Sequence, residues 1–293
     1  MSGVVLCVGA LSLDTIAWFD TLPVNAGKHL PDHFVEVTEG MATAQAATIT
    51  RLGGRARLWA SIGDDEPGRR MVAELSAENI DCGAIRCLPS VRSGFATIFV
   101  DRQGERMVVP FYDRRLASAP EGLPRLDDVA VVSVDVRWPD AAAAALRAAR
   151  ERGIPGVLDV ERADYETLQT LMPLATHIIA SEAGARQVTG RLMSPANAIA
   201  ALEARAQGNA SIAITNGADG VHWSGGHIPA HQVDAVDTLA AGDIFHGAFA
   251  FGLAEGWDIE RNLRFASAAA AIKCTRPGGR LGAPTRAEVE ALL

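Results

Sequence analysis

The sequence predicts an α/β fold: a doubly wound, mostly parallel sheet with helices on both faces, plus a small antiparallel β lid. Three features of the chain lead there. Through its middle, short apolar runs alternate with helix-like segments: Ala130–Val134 then Asp140–Arg152, Gly156–Val160 then Tyr165–Leu171, His177–Ala180 then Glu182–Val188, and the helical Ala196–Ala206 before Ser211–Thr215. Such alternation builds βαβ units, whose parallel sheet is covered on both faces. Two stretches break the pattern. Thr15–Val37 and Arg86–Tyr112 are rich in β-favouring residues and turns, notably Asp101-Arg-Gln-Gly104. They are expected to form the small sheet, from about residues 15–37 and 86–112, projecting from one domain spanning 1–293. A substrate lid and an ornamental hairpin fit them equally well. From Ala241 onward the chain is nearly all helix, through Ala254, then Ile259–Cys274 and Arg286–Leu292.

The remaining elements are read in the same way. Val4–Val8 is a buried strand ending at Gly9, and Ala42–Leu52 is an Ala-rich helix stopped by Gly53-Gly54. Ala56–Ile62 reads as one strand and Pro67–Asn79 as a helix. With 293 residues, 48% of them hydrophobic, the chain can bury a sizeable core. Lys and Arg number 27 against 35 Asp and Glu, a net charge of −8. That balance argues against nucleic acid as a partner, since binding it needs a basic face. The cysteines Cys7, Cys82, Cys87 and Cys274 form no CxxC pair or zinc-finger spacing, as expected of reduced thiols. No signal peptide and no run of about eighteen apolar residues is found, so a soluble cytoplasmic protein without a membrane partner is expected.

The segment richest in chemistry is Asp237-Thr-Leu-Ala-Ala-Gly-Asp-Ile-Phe-His246. A strand-like run, His231–Val236, leads into small residues and then an amphipathic helix. Ala241 and Gly242 leave backbone N–H groups unencumbered at the helix start, where unpaired donors and a partial positive charge cradle phosphate. Asp243 in the same turn either caps the helix or takes a proton from an alcohol attacking the phosphate. Spacing alone favours the cap. Thr215-Asn-Gly-Ala-Asp-Gly220 is a polar glycine turn at the carboxyl end of a strand, where open sheets bind ligands, although a hairpin turn looks the same. Lys273-Cys-Thr-Arg-Pro-Gly-Gly-Arg280 is a basic, Gly-rich helix end that either wraps a nucleotide or simply stops the helix. Neither GxGxxG after the first strand nor GxxxxGK[ST] occurs, so a dinucleotide dehydrogenase and a P-loop enzyme are poorly supported.

Together these segments resemble the ribokinase-like, or PfkB, family of carbohydrate kinases over nearly the whole chain. The family signature DTxGAGDxF is matched by Asp237, Thr238, Ala241, Gly242, Asp243 and Phe245, which favours the base over the cap for Asp243. The resemblance implies a ribokinase-like core with a β lid, ATP with Mg²⁺, room for a monovalent cation such as K⁺, and a homodimer through the lid. It makes Asp243 the base and sets Ala240, Ala241 and Gly242 at the anion hole. Thr215, Gly217 and Gly220 become nucleotide contacts, joined by Lys273, Gly278 and Gly279. Asp14, Glu39 and Gly40 fall on sugar-binding positions. Gly63-Asp64 and Gly68 also fit, and no residue is assigned to the metal.

Gly27-Lys28, Asp135-Val-Arg-Trp138, Phe245-His-Gly-Ala248, Arg264-Phe-Ala-Ser267 and Lys273–Arg280 are similar to the family branch acting on 6-deoxy-6-sulfofructose. That likeness sets Lys28 and Arg137 near an anionic end of the substrate. There are departures. Glu39-Gly40 replaces a Gly-Gly pair, Ala44 an Asn, Ala240 the first Gly of GAGD, and Gly184 the Glu of NxxE; Pro110 stands where that branch offers an Asn. The expected reaction is transfer of the ATP γ-phosphoryl group to a primary hydroxyl of a ketose-like sugar, sulfofructose among the candidates. A kinase for a neutral sugar or nucleoside, or a non-catalytic sensor, remains an alternative. Glu39 would press a carboxylate on an anionic substrate, so Lys28 or Arg137 is expected to neutralise it.

Overall fold

An uninterrupted apolar run must be covered on both sides. In the computed structural model, which describes residues 3–208 and 210–293, Val4–Val8 is such a strand, β1, buried throughout. Val5 and Cys7 enter one hydrophobic core, and Val4, Leu6 and Val8 enter the other. This is the two-residue alternation of a strand, here used to feed two layers. Parallel to β1 lie β4 (Arg55–Trp59) on one side and β9 (Val129–Val134) on the other. Beyond β9 follow β10 (Gly156–Val160), β11 (His177–Ser181) and β12 (Ser211–Thr215), all parallel. The edge is an antiparallel pair, β13 (Val221–Trp223) and β14 (Gly226–Ile228), giving the order β14-β13-β12-β11-β10-β9-β1-β4.

Helices α1 (Met41–Arg51), α2 (Glu66–Ala77), α7 (Ala241–Ala254), α8 (Ile259–Cys274) and α9 (Arg286–Leu292) cover one face. The other is covered by α3 (Pro139–Glu151), α4 (Tyr165–Leu171), α5 (Glu182–Thr189) and α6 (Pro195–Arg205). Helix α7 is buried on nearly every side from Ile244 to Gly252, which its apolar and small residues permit. A Cβ on Gly247 would come within 2.7 Å of the Gln45 carbonyl, so glycine lets α7 close on α1.

A four-stranded sheet, β3-β2-β7-β8, stands beside this core, built from β2 (Ser12–Trp18), β3 (His33–Glu39), β7 (Gly94–Val100) and β8 (Arg106–Phe111). Its two outer pairs are antiparallel, and the central β2–β7 pair is parallel. Three sequence expectations change here. Ala56–Ile62 is not one strand. It breaks at Ala60, and β5 (Ser61–Gly63) leaves the large sheet to pair with β6 (Arg86–Leu88). The start of the 86–112 stretch therefore lies outside the four-stranded sheet. His231–Val236 forms no strand; the Val236 and Asp237 N–H groups donate to the Cys274 carbonyl at 2.8 and 3.1 Å. The four cysteines are free thiols. Among the described residues no helix is long and apolar enough to cross a membrane.

Candidate active site

The parallel strands end on one side, and the chain beyond β9 begins with a buried acid. Asp135 Oδ2 accepts from the Ala10 N–H (2.8 Å) and the Ala42 N–H (3.0 Å), and Oδ1 accepts from the Arg137 N–H (2.7 Å). Burial raises its pKa, while these amides oppose the rise. One carboxyl group thus gathers the loop after β1, the start of α1 and the loop carrying Arg137. Gly40 at the start of α1 has φ 117°, and a Cβ there would lie 2.4 Å from the Ala10 carbonyl, so a side chain is excluded twice.

A second buried acid sets the start of α7. Asp237 Oδ1 accepts from the Leu239 N–H (2.7 Å), and Oδ2 accepts from the Gly278 N–H (2.9 Å). Lys273 Nζ lies 3.2 Å from Oδ2 and donates to the Asp237 and Arg276 carbonyls at 2.7 and 3.0 Å. Held this way, the loop delivers Ala240 to the N-cap in a left-handed conformation, φ 61° and ψ 7°. A residue with a Cβ carries a cost of about 1–2 kcal/mol there, which the surrounding hydrogen bonds must offset.

Two cavities flank the first turn of α7. One, of about 330 Å³, is lined by Ser12, Asp14, Glu39, Gly40, Tyr112, Arg137, Ala240 and Asp243, with Ala96, Ile98, Val108 and Pro110 of the four-stranded sheet as a wall. The other, of about 320 Å³, is lined by Thr215, Gly217, Gly220, Thr238, Ala241, Gly242, Phe245, Ser267 and Cys274. Ala240 and Asp243 face the first and Ala241 and Gly242 the second, so a single helical turn separates them.

The first cavity gathers acids. Asp14 is pushed up to about 6 by burial, against the hydrogen bond that its Oδ1 accepts from the Ala96 N–H at 2.9 Å. Burial pushes Glu39 up to about 8, against the Arg280 N–H bound to Oε1 at 2.7 Å, with Asp14 and Asp243 adding to the rise. Asp243, half-buried, is also pushed up to about 8, first by desolvation and then by the Asp159 charge, with His246 opposing. Behind it lies a buried polar chain. Ser133 Oγ donates to Gln45 Oε1 (2.7 Å), and Gln45 Nε2 donates to Asp159 Oδ2 (3.3 Å). His246 Nε2 lies 3.4 Å from Asp159 Oδ1, and its Nδ1 sits 2.7 Å from the Gly242 carbonyl.

Several expectations are corrected by this geometry. Lys273 is fully buried on Asp237 and cannot offer its ammonium to a nucleotide. Gly278 and Gly279 turn their N–H groups onto Asp237 and lie outside the lining of the second cavity. Lys28 is exposed in the loop between β2 and β3 and is not among the residues lining the first cavity. Neither Lys28 nor Arg137 neutralises Glu39. Its partner is the Arg280 backbone, while the Arg280 guanidinium reaches Thr38 O and, at 2.6 Å, Glu78. Arg137 does line the first cavity, but its Nη1 donates to the Arg162 carbonyl at 3.0 Å. Gly184 has a structural reason to lack a side chain, because a Cβ would fall 2.0 Å from the Val160 carbonyl. Sequence reasoning gave no role to Asp135, Asp159, His246 or Arg280. An acid closing an apolar strand, as at Asp135, was the available signal.

Comparison with known proteins bears on this arrangement. The pfkB family carbohydrate kinase profile matches residues 4–286. A ribokinase of Bacillus subtilis is 31% identical over 298 residues, covering 98% of this chain and 99% of the relative. An ATP-dependent ribose-1-phosphate kinase of Halopiger xanaduensis is 30% identical over 299 residues, covering 99% and 97%. The crystal structure of a provisionally assigned ribokinase from Agrobacterium tumefaciens superposes with a TM-score of 0.95 at 44% identity, covering 100% and 98%. Arabidopsis thaliana ribokinase complexed with ribose and ATP shares the fold at a TM-score of 0.83 and 22% identity, covering 100% and 99%.

Two outcomes follow from the buried charges. Lys273→Met leaves Asp237 buried without its cation and should cost about 3–5 kcal/mol of unfolding free energy in urea. A loss below about 1 kcal/mol would mean that the pair is not buried as described. Glu39 rises from an ordinary 4.5 to about 8 on folding, so the folded chain keeps a proton that the unfolded chain releases. Its contribution is complete below the unfolded pKa and is lost as pH rises through the folded one. The wild-type melting temperature should therefore fall more between about pH 5 and pH 8 than that of Glu39→Gln, which cannot ionise. Parallel curves would show Glu39 to be ionised in the fold.

Proposed function

The chain belongs to the pfkB family of carbohydrate kinases, and from that premise we propose that it phosphorylates a neutral, hydroxyl-rich sugar, with Asp243 as the general base. It is an ATP-dependent sugar kinase, a phosphotransferase with an alcohol acceptor. The observation that carries the substrate reading is the set of three carboxyl groups, Asp14, Glu39 and Asp243, around one cavity; among the described residues no cation forms an ion pair with Glu39, and the Arg280 charge only partly offsets the rise that burial causes. An anion about 4 Å from an ionised member of this set meets a repulsion of about 4 kcal/mol at an effective dielectric near 20. Sugar hydroxyls donate to such carboxylates and accept from a protonated Glu39. Relatives named for ribose make pentoses the first acceptors to try.

In this reading the sugar occupies the first cavity, ATP the second, and the γ-phosphoryl group lies at the turn between them. Asp243 takes the hydroxyl proton as the oxygen attacks phosphorus and ADP leaves with the bridging electrons; a raised pKa suits a base working near neutral pH. The N–H groups of the first turn of α7 stabilise the charge that develops on the transferred group. Mg²⁺ supplies charge neutralisation across the phosphates when bound. Such an ion keeps most of its waters, so one carboxylate near the phosphates suffices. Glu161, half-buried and close enough to raise Asp243, fits that part; position 184 cannot, for want of space. Residues 1–293 act as one domain in the cytoplasm, with the four-stranded sheet as lid. A homodimer through that sheet suits Phe34, Val109 and Phe111, exposed on its face away from the first cavity, and K⁺ remains a family expectation.

One observation favours a second reading. Arg137 also lines an adjoining cavity of about 220 Å³ together with Arg114, which suits a substrate with an anion remote from the reacting hydroxyl, such as 6-deoxy-6-sulfofructose or ribose 1-phosphate. Initial rates with ATP and Mg²⁺ on ribose, fructose, nucleosides, ribose 1-phosphate and sulfofructose decide between them. The highest kcat/KM is expected for a neutral sugar, and a preference for either anion would reverse the order of the two readings. Asp243→Asn should lower kcat by about 10²–10⁴ with ATP affinity and melting temperature nearly unchanged. Retention of more than about a tenth of kcat would remove Asp243 from the role of base.

A further inference from the structure

Beyond the two cavities, the hairpin at the edge of the large sheet gathers three metal-ligating side chains. His222 on β13 and His227 on β14 are direct cross-strand partners, so both project from one face of the hairpin. Their imidazoles stack with centroids 4.3 Å apart and planes at 14°. Both Nε2 atoms converge on Asp219, in the turn before β13. His222 Nε2 lies 2.6 Å from Asp219 Oδ2; His227 Nε2 lies 2.7 Å from the Asp219 carbonyl and 3.7 Å from Oδ1. One ligand atom from each of the three residues lies within 4.8 Å of the others. Asn216 Nδ2 donates to the same Oδ2 at 3.1 Å, orienting the carboxylate as partners outside a ligand set do.

We propose that Asp219, His222 and His227 form a binding site for a divalent transition ion of the Zn²⁺, Co²⁺ and Ni²⁺ group at the rim of the nucleotide cavity. Two imidazole nitrogens and one carboxylate oxygen are the donors such ions take, with a further position left to water, whereas Mg²⁺ takes oxygen alone. The paired strands fix both histidine backbones before the ion arrives, so binding has only side-chain torsions to order. A shared ion must lie near both ring planes, so the stacked rings have to turn apart on binding. His227, with its side chain 38% exposed on the edge strand, has the room to turn. Asp219 belongs to the turn whose Gly217, Ala218 and Gly220 line the nucleotide cavity, so an ion that stiffens the turn changes affinity for the nucleoside. Linkage then requires the nucleoside to change affinity for the ion by the same factor.

The test titrates the full chain with Co²⁺, read by its visible spectrum, and with Zn²⁺, read by calorimetry. One equivalent should bind. His222→Ala and His227→Ala should each weaken binding by more than the roughly 10–100-fold seen when a partner outside a ligand set is lost. Melting temperatures without metal should stay at the wild-type value, which separates ligand loss from misfolding. Unchanged affinity in the His222→Ala/His227→Ala double variant overturns the site, and so does the absence of saturable binding in the wild type. Adenosine, which has no phosphates to chelate the ion, serves as the nucleoside probe. Its Kd should shift when Zn²⁺ saturates the site, and an indifferent Kd overturns the coupling. No sugar turnover enters these readouts, so the site and the kinase reading can fail separately.

Discussion

The arrangement of this site depends on a lysine and an aspartate buried together at the junction of two helices. Removing two charges from water is costly, and such a pair persists only when further hydrogen bonds complete both partners. Asp237 and Lys273 meet that condition with the amides of Leu239 and Gly278 and the carbonyls of Asp237 and Arg276. The consequence is positional. The loop before α7 and the loop after α8 are locked to each other, Ala240 is held in a left-handed conformation, and Arg280 presents its N–H to Glu39. A single buried pair thereby sets both the start of α7 and a carboxyl group of the first cavity.

A second constraint is electrostatic. Asp14, Glu39 and Asp243 share one cavity, and burial raises all three above the ordinary carboxylate range. The chain from Ser133 through Gln45 and Asp159 to His246 continues this polarity into the interior and ends on the Gly242 carbonyl, in the turn that carries Asp243. Rigid parallel strands supply the frame, and loops at their carboxyl ends supply the chemistry.

The parallel core was legible because its strands are continuous apolar runs separated by helical segments. The three-residue strands were not: β5, β6, β13 and β14 are too short to show a period, and their pairing depends on partners elsewhere. The start of α7 was legible through a family signature, and the structure sets Ala240 and Asp243 on one cavity and Ala241 and Gly242 on the other. The cations were misread for a plain reason. A lysine in a basic, Gly-rich segment looks the same whether it faces phosphate or folds back on an aspartate 36 residues earlier. Glu39 likewise finds its partner 241 residues along the chain, beyond the reach of spacing arguments.

The central claim is that acceptor and nucleotide occupy separate cavities divided by the first turn of α7. A crystal structure with a non-hydrolysable ATP analogue, Mg²⁺ and the best acceptor tests it most directly. The account predicts the sugar among Asp14, Glu39 and Arg137 with a primary hydroxyl on Asp243, and the nucleotide along Thr215, Gly217 and Gly220 with its terminal phosphate at Ala241 and Gly242. A nucleotide lodged elsewhere, or a sugar whose hydroxyls all lie out of hydrogen-bonding reach of Asp243, would contradict it.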